Sequence, residues 1–262
     1  MTSSKFRKVE HTRVAQAVVE QFEQMILHGT LRDGERLPGE RELADQLEVS
    51  RQTLREALKT LEELGLVEAK QGGGTFIADI VGSAVSKPLI GLFSRHEEAY
   101  LDYMEFRALI EAKAAGLAAE RATAYDRQII QAKFEAMAQA HDSDADDPAA
   151  EAELDADFHY SIAEATHNPM MIFSLRSIFE LIRQGVFYNR YVVYIEAGGK
   201  DRLLEQHRAI CEAIVQGDVK AAERAMNDHL NFIIDFFSDA MRMRQRFETA
   251  RLRAETQGFK SS

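Results

Sequence analysis

The stretch LPGERELADQLEVSRQTLREALKTLEELGLVEAKQGGGTFI, residues 37–77, decides the fold of the N-terminal part of this chain. Its apolar spacing predicts a short helix, a tight turn, a second helix and a glycine-tipped β-hairpin. The second helix has leucines on one face and polar side chains on the other, and Ser50 precedes it as an N-cap. An apolar back with a compact front of arginine and glutamine suits the DNA major groove. We therefore predict a winged helix-turn-helix that binds double-stranded DNA.

The hairpin tip is the wing of this predicted motif. Its three glycines permit close approach of the backbone to DNA, and the preceding Gln71 is long enough to reach the minor groove or the phosphates. A tip that is merely flexible is the alternative interpretation. The residues that we expect to contact DNA from the helix front and the wing are Arg51, Gln52, Arg55, Gln71, Gly72 and Gly73.

The net charge of −11 argues at first sight against a DNA-binding protein. Residues 1–80 contain 11 Lys/Arg and 14 Asp/Glu, so basic charge is concentrated locally rather than in excess. Affinity for DNA depends on where positive charge meets phosphate, not on the sum over the chain. We expect an acidic body to suppress non-specific binding and the specific contact to depend strongly on salt.

Several protein classes are excluded by composition. No apolar run approaches the roughly 20 residues of a membrane span, and the polar N-terminus has no signal-peptide core, so we expect no membrane contact and a cytoplasmic protein. Cys211 is the only cysteine, which excludes an internal disulfide, and its apolar surroundings predict a buried, inert thiol.

Beyond residue 80 the pattern is helical throughout, with helices predicted at about 98–122, 125–141, 149–167, 169–190, 200–216 and 218–245. The fold class is therefore mostly α, with a small β wing in the N-terminal domain and an antiparallel helical bundle in the C-terminal one. The predicted boundaries are a winged helix-turn-helix at 8–78, a linker and connecting segment at 79–97, the helical domain at 98–246, and a mobile tail at 247–262.

Four residues of the predicted bundle could form a metal site. Asp155 and His159 are spaced i, i+4 and leave one helix face together, while His207 and His229 lie within two later helices. Each histidine alone could be an ordinary buried histidine. Three imidazoles and one carboxylate together are a ligand set for a borderline divalent metal, with coordination positions left open.

The N-terminal stretch GTLRDGERLPGERELADQLEVSRQTLREALKTLEELGLVEAKQGGGTF, residues 29–76, resembles the DNA-binding domain of GntR-family bacterial transcription regulators. The family's operator DNA and homodimeric state are implied by this resemblance. A dimer also follows from the half-site that one recognition helix reads. The operator-contacting positions that the resemblance implies are Arg41, Ser50, Arg51, Thr53, Arg55 and Gly72.

The half from about Tyr100 to Phe237 resembles the FCD ligand-binding domain, in the pieces ELDADFHYSIAEATHN, LLEQHRAICEAIVQGD and AMNDHLNFI. The metal-binding version of that domain implies Asp155, His159, His207 and His229 as ligands of zinc, or of nickel, manganese or iron. The nearest resemblance is to the lactate- and pyruvate-responsive members of the family. It implies a small carboxylate effector of the lactate, glycolate or pyruvate class.

Two further residues are predicted to bind this effector. Arg107 has the planar fork that suits a carboxylate, although an intrahelical salt bridge with Glu111 is an alternative. Asn168 could hydrogen-bond the effector or could cap the helix that begins at Pro169. We expect His167 to be exposed or to support the ligands rather than to be a fifth ligand.

Three functions are compatible with these features. The first is a transcription regulator, a repressor by our prediction, that responds to the effector. The second is a metalloenzyme acting on a small hydroxy- or oxo-acid, although no nucleophile or general base is recognisable near the ligands. The third is a constitutive DNA-binding scaffold protein, which predicts neither bound metal nor an effector response.

Overall fold

The computed structural model describes residues 11–70, 73–80, 92, 96–142, 147–183 and 199–257. The chain divides into two compact units, Met1–Ala84 and Val85–Ser262. In the part of the chain that the structure describes, no helix is long and apolar enough to cross a membrane.

The N-terminal unit contains three helices and a β-hairpin. Its elements are α1 (His11–Leu27), α2 (Glu40–Gln46), α3 (Arg51–Glu63), β1 (Val67–Lys70) and β2 (Gly74–Ile77). The strands are antiparallel, and their register pairs Val67 with Ile77 and Lys70 with Gly74. The predicted helix-turn-helix and hairpin are thus confirmed.

Helix α3 has the N-cap, the buried apolar face and the C-terminal glycine that its sequence predicts. The hydroxyl of Ser50 accepts a hydrogen bond from the backbone N–H of Thr53, which satisfies a free donor at the start of the helix. Leu54, Ala57 and Leu61 are buried along its inner face. Gly65, with φ of 71°, follows the helix in the left-handed conformation that glycine adopts without a steric penalty.

The described part of the C-terminal unit forms helices, as predicted. Its described helices are α4 (Glu97–Arg121), α5 (Ala124–His141), α6 (Pro148–Glu164), α7 (Pro169–Arg183), α8 (Gly199–Gln216) and α9 (Val219–Thr256). Helix α4 packs along α9 and also contacts α6 and α8, while α5 packs against α6 and α8. This arrangement brings α4, α6, α8 and α9 around one polar cluster in the interior.

The last helix differs from the sequence prediction. It continues to Thr256, whereas we expected it to end at about 245, the domain to end at 246, and a mobile tail to follow. No glycine or proline interrupts residues 218–257, and the added turns carry the pairs Arg251–Glu248 and Arg251–Glu255 at 3.0 and 3.6 Å. Residues 184–190 of the predicted fourth helix of the bundle lie outside the described residues.

Candidate DNA-contacting surface and metal centre

The front of α3 presents polar side chains on the protein surface. Arg51, Gln52 and Arg55 are exposed, and so is Arg41 on the neighbouring α2. Nε of Arg55 lies 2.7 Å from Oε2 of Glu40, which joins the two helices of the motif. The structure therefore displays these four predicted residues together on one unit.

Two predicted DNA contacts have a structural role at the start of α3. Ser50 is exposed, but Thr53 is only 4% exposed, and its Oγ1 lies 2.8 Å from Oγ of Ser50. The side chain of Thr53 therefore supports the N-cap and is not displayed on the surface with the arginines. Its position three residues after the cap, on the side facing the core, explains this difference from the prediction.

The wing is described on either side of its tip. The backbone N–H of Gly73 donates to the carbonyl of Lys70 at 2.9 Å, and Gly74 has φ of 98°, a conformation that favours glycine. Nζ of Lys70 lies 2.8 Å from Oε1 of Glu68. The predicted contacts Gln71 and Gly72 lie outside the described residues.

The four predicted metal ligands converge in the interior of the bundle. Asp155 and His159 lie on α6, His207 lies on α8 and His229 lies on α9. Each offers one ligand atom, and these atoms all lie within 4.8 Å of one another. The three imidazoles are buried and Asp155 is partly buried.

The distances within this cluster fit a single metal ion. Oδ1 of Asp155 lies 3.1 Å from Nε2 of His207 and 3.8 Å from Nε2 of His159, and the two Nε2 atoms are 3.4 Å apart. Two nitrogens bound at about 2.1 Å to one metal ion, at an angle of about 90–110°, are about 3.0–3.4 Å apart. Nε2 of His229 is buried and has no hydrogen-bond partner among the described residues. A buried imidazole nitrogen with no partner is costly in an apo protein, but it becomes a ligand when a cation is present.

Two residues that we did not predict as site residues orient these imidazoles. Oε2 of Glu111, on α4, lies 2.6 Å from Nδ1 of His159. Oε1 of Gln206 lies 3.2 Å from Nδ1 of His229. An oxygen this close to Nδ1 favours the tautomer with the proton on Nδ1 and the lone pair on Nε2, which is how histidine ligands are usually held. Gln206 directly precedes His207 in sequence, and this position does not indicate a contact with His229.

Burial and charge set the protonation of the cluster. Burial and the positive charges of His207 and His159 hold the pKa of His229 well below its usual value. Burial likewise lowers the pKa of His207, which Asp155 only partly offsets. For Asp155, burial raises the pKa, but His159 and His207 outweigh it and the net shift is downward. Neutral imidazoles at His207 and His229 beside an ionised Asp155 are protonation states that metal binding requires.

The predicted effector residue Arg107 is buried on α4 and pairs with Glu111. Its Nε lies 2.5 Å from Oε1 and its Nη2 lies 3.4 Å from Oε2 of that carboxylate, while Nη1 contacts the sulfur of Met104 at 3.8 Å. The alternative interpretation, an intrahelical salt bridge, therefore describes what this side chain does. Arg107 is nevertheless linked to the cluster, because its partner Glu111 also contacts His159.

The second predicted effector residue, Asn168, caps α7. Its Oδ1 accepts hydrogen bonds from the backbone N–H groups of Met170 and Met171 at 3.1 and 3.4 Å. Asn168 has no hydrogen bond to the four-residue cluster among the described residues. His167 is exposed and its Nε2 lies 2.9 Å from Oδ2 of Asp126, so it is not a ligand in this arrangement.

Comparison with protein families matches both units. Residues 14–77 match the family described as "Bacterial regulatory proteins, gntR family", and residues 102–232 match the FCD domain. The first match covers the helix-turn-helix and the wing. The second covers the helices that carry the four-residue cluster.

Curated relatives extend over most of the chain. A protein assigned as the L-lactate dehydrogenase operon regulatory protein of Escherichia coli (strain K12) is 36% identical over 225 residues, which are 84% of this chain and 85% of that protein. The Glc operon transcriptional activator of the same strain is 34% identical over 227 residues, with 86% and 89% covered. The HTH-type transcriptional regulator LutR of Bacillus subtilis (strain 168) is 32% identical over 215 residues, with 82% and 96% covered.

Among solved structures, Streptococcus agalactiae GntR superimposes with a TM-score of 0.51 at 27% identity, covering 84% of this chain and 99% of that one. These relatives and families are transcription regulators, which argues against the metalloenzyme alternative. The chain therefore belongs to the gntR family of bacterial regulatory proteins, in the group that carries an FCD domain, and it is a DNA-binding transcription regulator related to regulators of lactate operons.

Proposed function

We propose that this regulator is a repressor whose affinity for operator DNA is controlled by a small carboxylate effector bound at a metal ion. The observation that carries the proposal is the convergence of three buried imidazoles and one carboxylate, with ligand atoms within 4.8 Å of one another. A cluster held only for stability would be expected to satisfy the buried Nε2 of His229 with a protein partner.

The metal would be held by Asp155, His159, His207 and His229. Zinc suits three nitrogens and one oxygen, and nickel, manganese or iron are alternatives. When bound, the metal supplies positive charge and coordination positions for oxygen atoms. A chelating effector needs two positions beyond the four protein ligands, so a six-coordinate ion accommodates it without loss of a side chain.

The effector class is proposed from the site and from the relatives. A 2-hydroxy or 2-oxo acid can chelate through its carboxylate and its 2-oxygen, and the L-lactate dehydrogenase operon named for one relative points to an acid of this size. Lactate, glycolate and pyruvate are the proposed candidates. Arg107 contributes positive charge beside the cluster, and Asn168 is the second effector residue that we propose.

The N-terminal unit would read the operator through the front of α3 and the wing. Arg51 and Arg55 are proposed to contact bases. These contacts are supported or extended by Arg41, Ser50, Gln52 and Thr53. At the wing, the backbone of the DNA is approached by the tip residues Gln71, Gly72 and Gly73. One recognition helix covers only a half-site, so we propose a homodimer on a near-palindromic operator. A regulator of chromosomal DNA would work in the cytoplasm.

Effector control requires only that the effector binds more tightly to one of two states that differ in operator affinity. The constitutive scaffold alternative lacks this coupling and predicts the same operator affinity with and without effector. The two hypotheses therefore differ in a quantity that can be measured directly on the purified protein.

The test combines elemental analysis with operator binding. We expect the purified protein to contain about one divalent metal per chain, and the metal-loaded protein to change its operator affinity with glycolate, L-lactate or pyruvate. Fluorescence anisotropy with the chain's own promoter region measures this change. Metal-free protein that responds equally to the acids would contradict the metal-centred proposal, and metal-loaded protein that responds to none of them would contradict the effector class.

A further inference from the structure

A cavity of about 70 Å³ lies between α5, α6 and α8 and reaches the metal cluster. Asp155 and His207 form part of its lining, and much of the rest is aliphatic, from Met137, Leu154 and Leu203. This lining offers polar groups at one end and an aliphatic wall for a short carbon chain.

Two ion pairs lie at the outer part of this cavity. Nζ of Lys200 lies 2.9 Å from Oε1 of Glu151, and Nε2 of His141 lies 2.9 Å from Oδ1 of Asp201. The side chains of Lys200 and Glu151 are 29% and 27% exposed, whereas those of Asp155 and His207 are 15% and 3% exposed. The cavity thus runs from a partly exposed cation to the proposed metal ligands, and Arg107 is not part of its lining.

We propose that Lys200 is the carboxylate-recognising cation of the effector site, and that it exchanges Glu151 for the effector's carboxylate when the effector enters this cavity. The inference rests on the proposed function and deepens it, because it names the access route and the charged partner. The aliphatic wall accepts the methyl group of lactate or pyruvate.

The side-chain chemistry favours Lys200 over Arg107 in this role. A lysine ammonium is a compact charge with three donors on a flexible stem, so it can leave one carboxylate for another. Its pair with Glu151 is partly exposed, and such pairs are individually weak. Arg107, in contrast, is buried and committed to Glu111, so freeing it would leave a buried carboxylate without its cation.

Two substitutions in the same ion pair test the exchange because they are expected to act in opposite directions. Lys200→Gln removes the cation and should weaken binding of the effector by about tenfold or more, since hydrogen bonds to charged groups are among the stronger ones. Glu151→Gln removes the competing carboxylate and should tighten binding by about two- to fivefold. An ion pair with a purely structural role predicts that both variants change binding in the same direction.

The measurement is calorimetric titration of the full-length, metal-loaded protein with glycolate, L-lactate and pyruvate. Lys133→Gln is the matched control, because Lys133 forms a partly exposed pair with Asp157 at 2.6 Å between α5 and α6 and does not line the cavity. Metal content, measured by elemental analysis, should be the same in all variants.

Each outcome decides between the hypotheses. Weaker binding by Lys200→Gln with tighter binding by Glu151→Gln supports the exchange. Equal losses in both variants, or no loss in Lys200→Gln, overturn it while leaving the metal-bound effector intact. Metal-loaded wild-type protein that binds none of the three small acids overturns the proposed function itself.

Discussion

Oε2 of Glu111 lies 2.6 Å from Nδ1 of His159, and the same carboxylate receives the guanidinium of Arg107. Helix α4 thereby supports a proposed metal ligand on α6 through a buried chain of three charged or polar groups. For Glu111, burial raises the pKa, but Arg107 and His159 outweigh it, so the net shift is downward and the carboxylate stays ionised. An ionised Glu111 can accept a hydrogen bond from Nδ1–H, which favours the tautomer whose Nε2 is free to bind a cation.

Replacing Glu111 should therefore weaken metal binding without removing a ligand. We expect Glu111→Gln to lower the affinity for zinc by about 10- to 100-fold, the usual effect of losing a residue that orients a histidine ligand. Competition with a chromophoric chelator measures the change. Glu105→Gln, on an exposed position of the same helix, should leave the affinity unchanged, and wild-type affinity in Glu111→Gln would show that the contact with His159 has no role in metal binding.

Arg107 is expected to affect more than the effector. From the sequence, its removal should weaken effector binding alone, but the structure shows Arg107 paired with the residue that orients His159. Arg107→Ala leaves a buried carboxylate unpaired, and breaking a buried pair in this way costs about 3–5 kcal/mol. Urea unfolding of the metal-free variant should show this loss, and zinc affinity should fall with it.

The charge-balanced variant Arg107→Met/Glu111→Gln separates these effects. It should recover much of the free energy of unfolding, because both buried charges are removed together. Its zinc affinity should stay low, since the orienting carboxylate is still absent. A double variant as unstable as Arg107→Ala would mean that lost packing, not the unpaired charge, causes the instability.

The fold was predictable where its signals are local. Helix α3 is marked by local signals: the N-cap Ser50, the terminating Gly65 and a stripe of leucines. Because each signal acts within a few residues, the helix-turn-helix can be predicted without tertiary information. The i, i+4 spacing of Asp155 and His159 made half of the cluster visible in the same way. His207 and His229 were candidates as histidines within two later helices, and the FCD resemblance implied that they are ligands together with this pair.

The remaining differences come from tertiary contacts. Glu111 was recognisable from sequence only as the i+4 partner of Arg107, because its contact with His159 depends on how α4 lies beside α6. Thr53 was expected to face DNA, but the packing of α3 turns it toward the core. The contact between Glu111 and His159 is not encoded in the spacing of either residue.

Operator recognition should depend on Arg51. This side chain is exposed on the front of α3, where a bidentate contact to guanine is worth about 1–3 kcal/mol. We expect Arg51→Ala to abolish operator binding at moderate salt, and to leave thermal stability and effector binding intact. Gel-shift titration with the native promoter measures this loss. Lys113→Ala, on the helical unit, removes the same charge and should bind the operator normally, whereas unchanged affinity in Arg51→Ala would refute the assignment of α3 as the reading helix.

The metal-free protein should lose stability as the pH falls below about 6.5. The pKa values of His229 and His207 are lowered in the folded state, chiefly by burial, so the unfolded chain binds more protons in this range. Stability is therefore complete above the unfolded pKa and declines with acidification, by up to about 1.4 kcal/mol per pH unit for each group. Urea unfolding between pH 7.5 and 5.5 measures the slope, which His229→Gln should reduce and the exposed control His96→Gln should not.

Removal of one imidazole from the cluster should uncouple effector from DNA while sparing the operator contact. His207 lies on α8, its Nε2 is 3.1 Å from Asp155 and 3.4 Å from His159, and only the folded bundle brings these groups together. Metal should therefore stabilise the wild-type protein through linkage, by about 2.7 kcal/mol at 100-fold excess over its dissociation constant. His207→Ala should lose the bound divalent metal, this stabilisation and the effector's influence on DNA binding, yet still bind the operator, because its helix-turn-helix is unchanged.

Elemental analysis, thermal unfolding with added zinc and anisotropy on the operator measure the three properties, with His96→Ala as the control. A full equivalent of metal in His207→Ala, or a normal effector response, would mean that the four residues are polar members of a helical core rather than a metal centre.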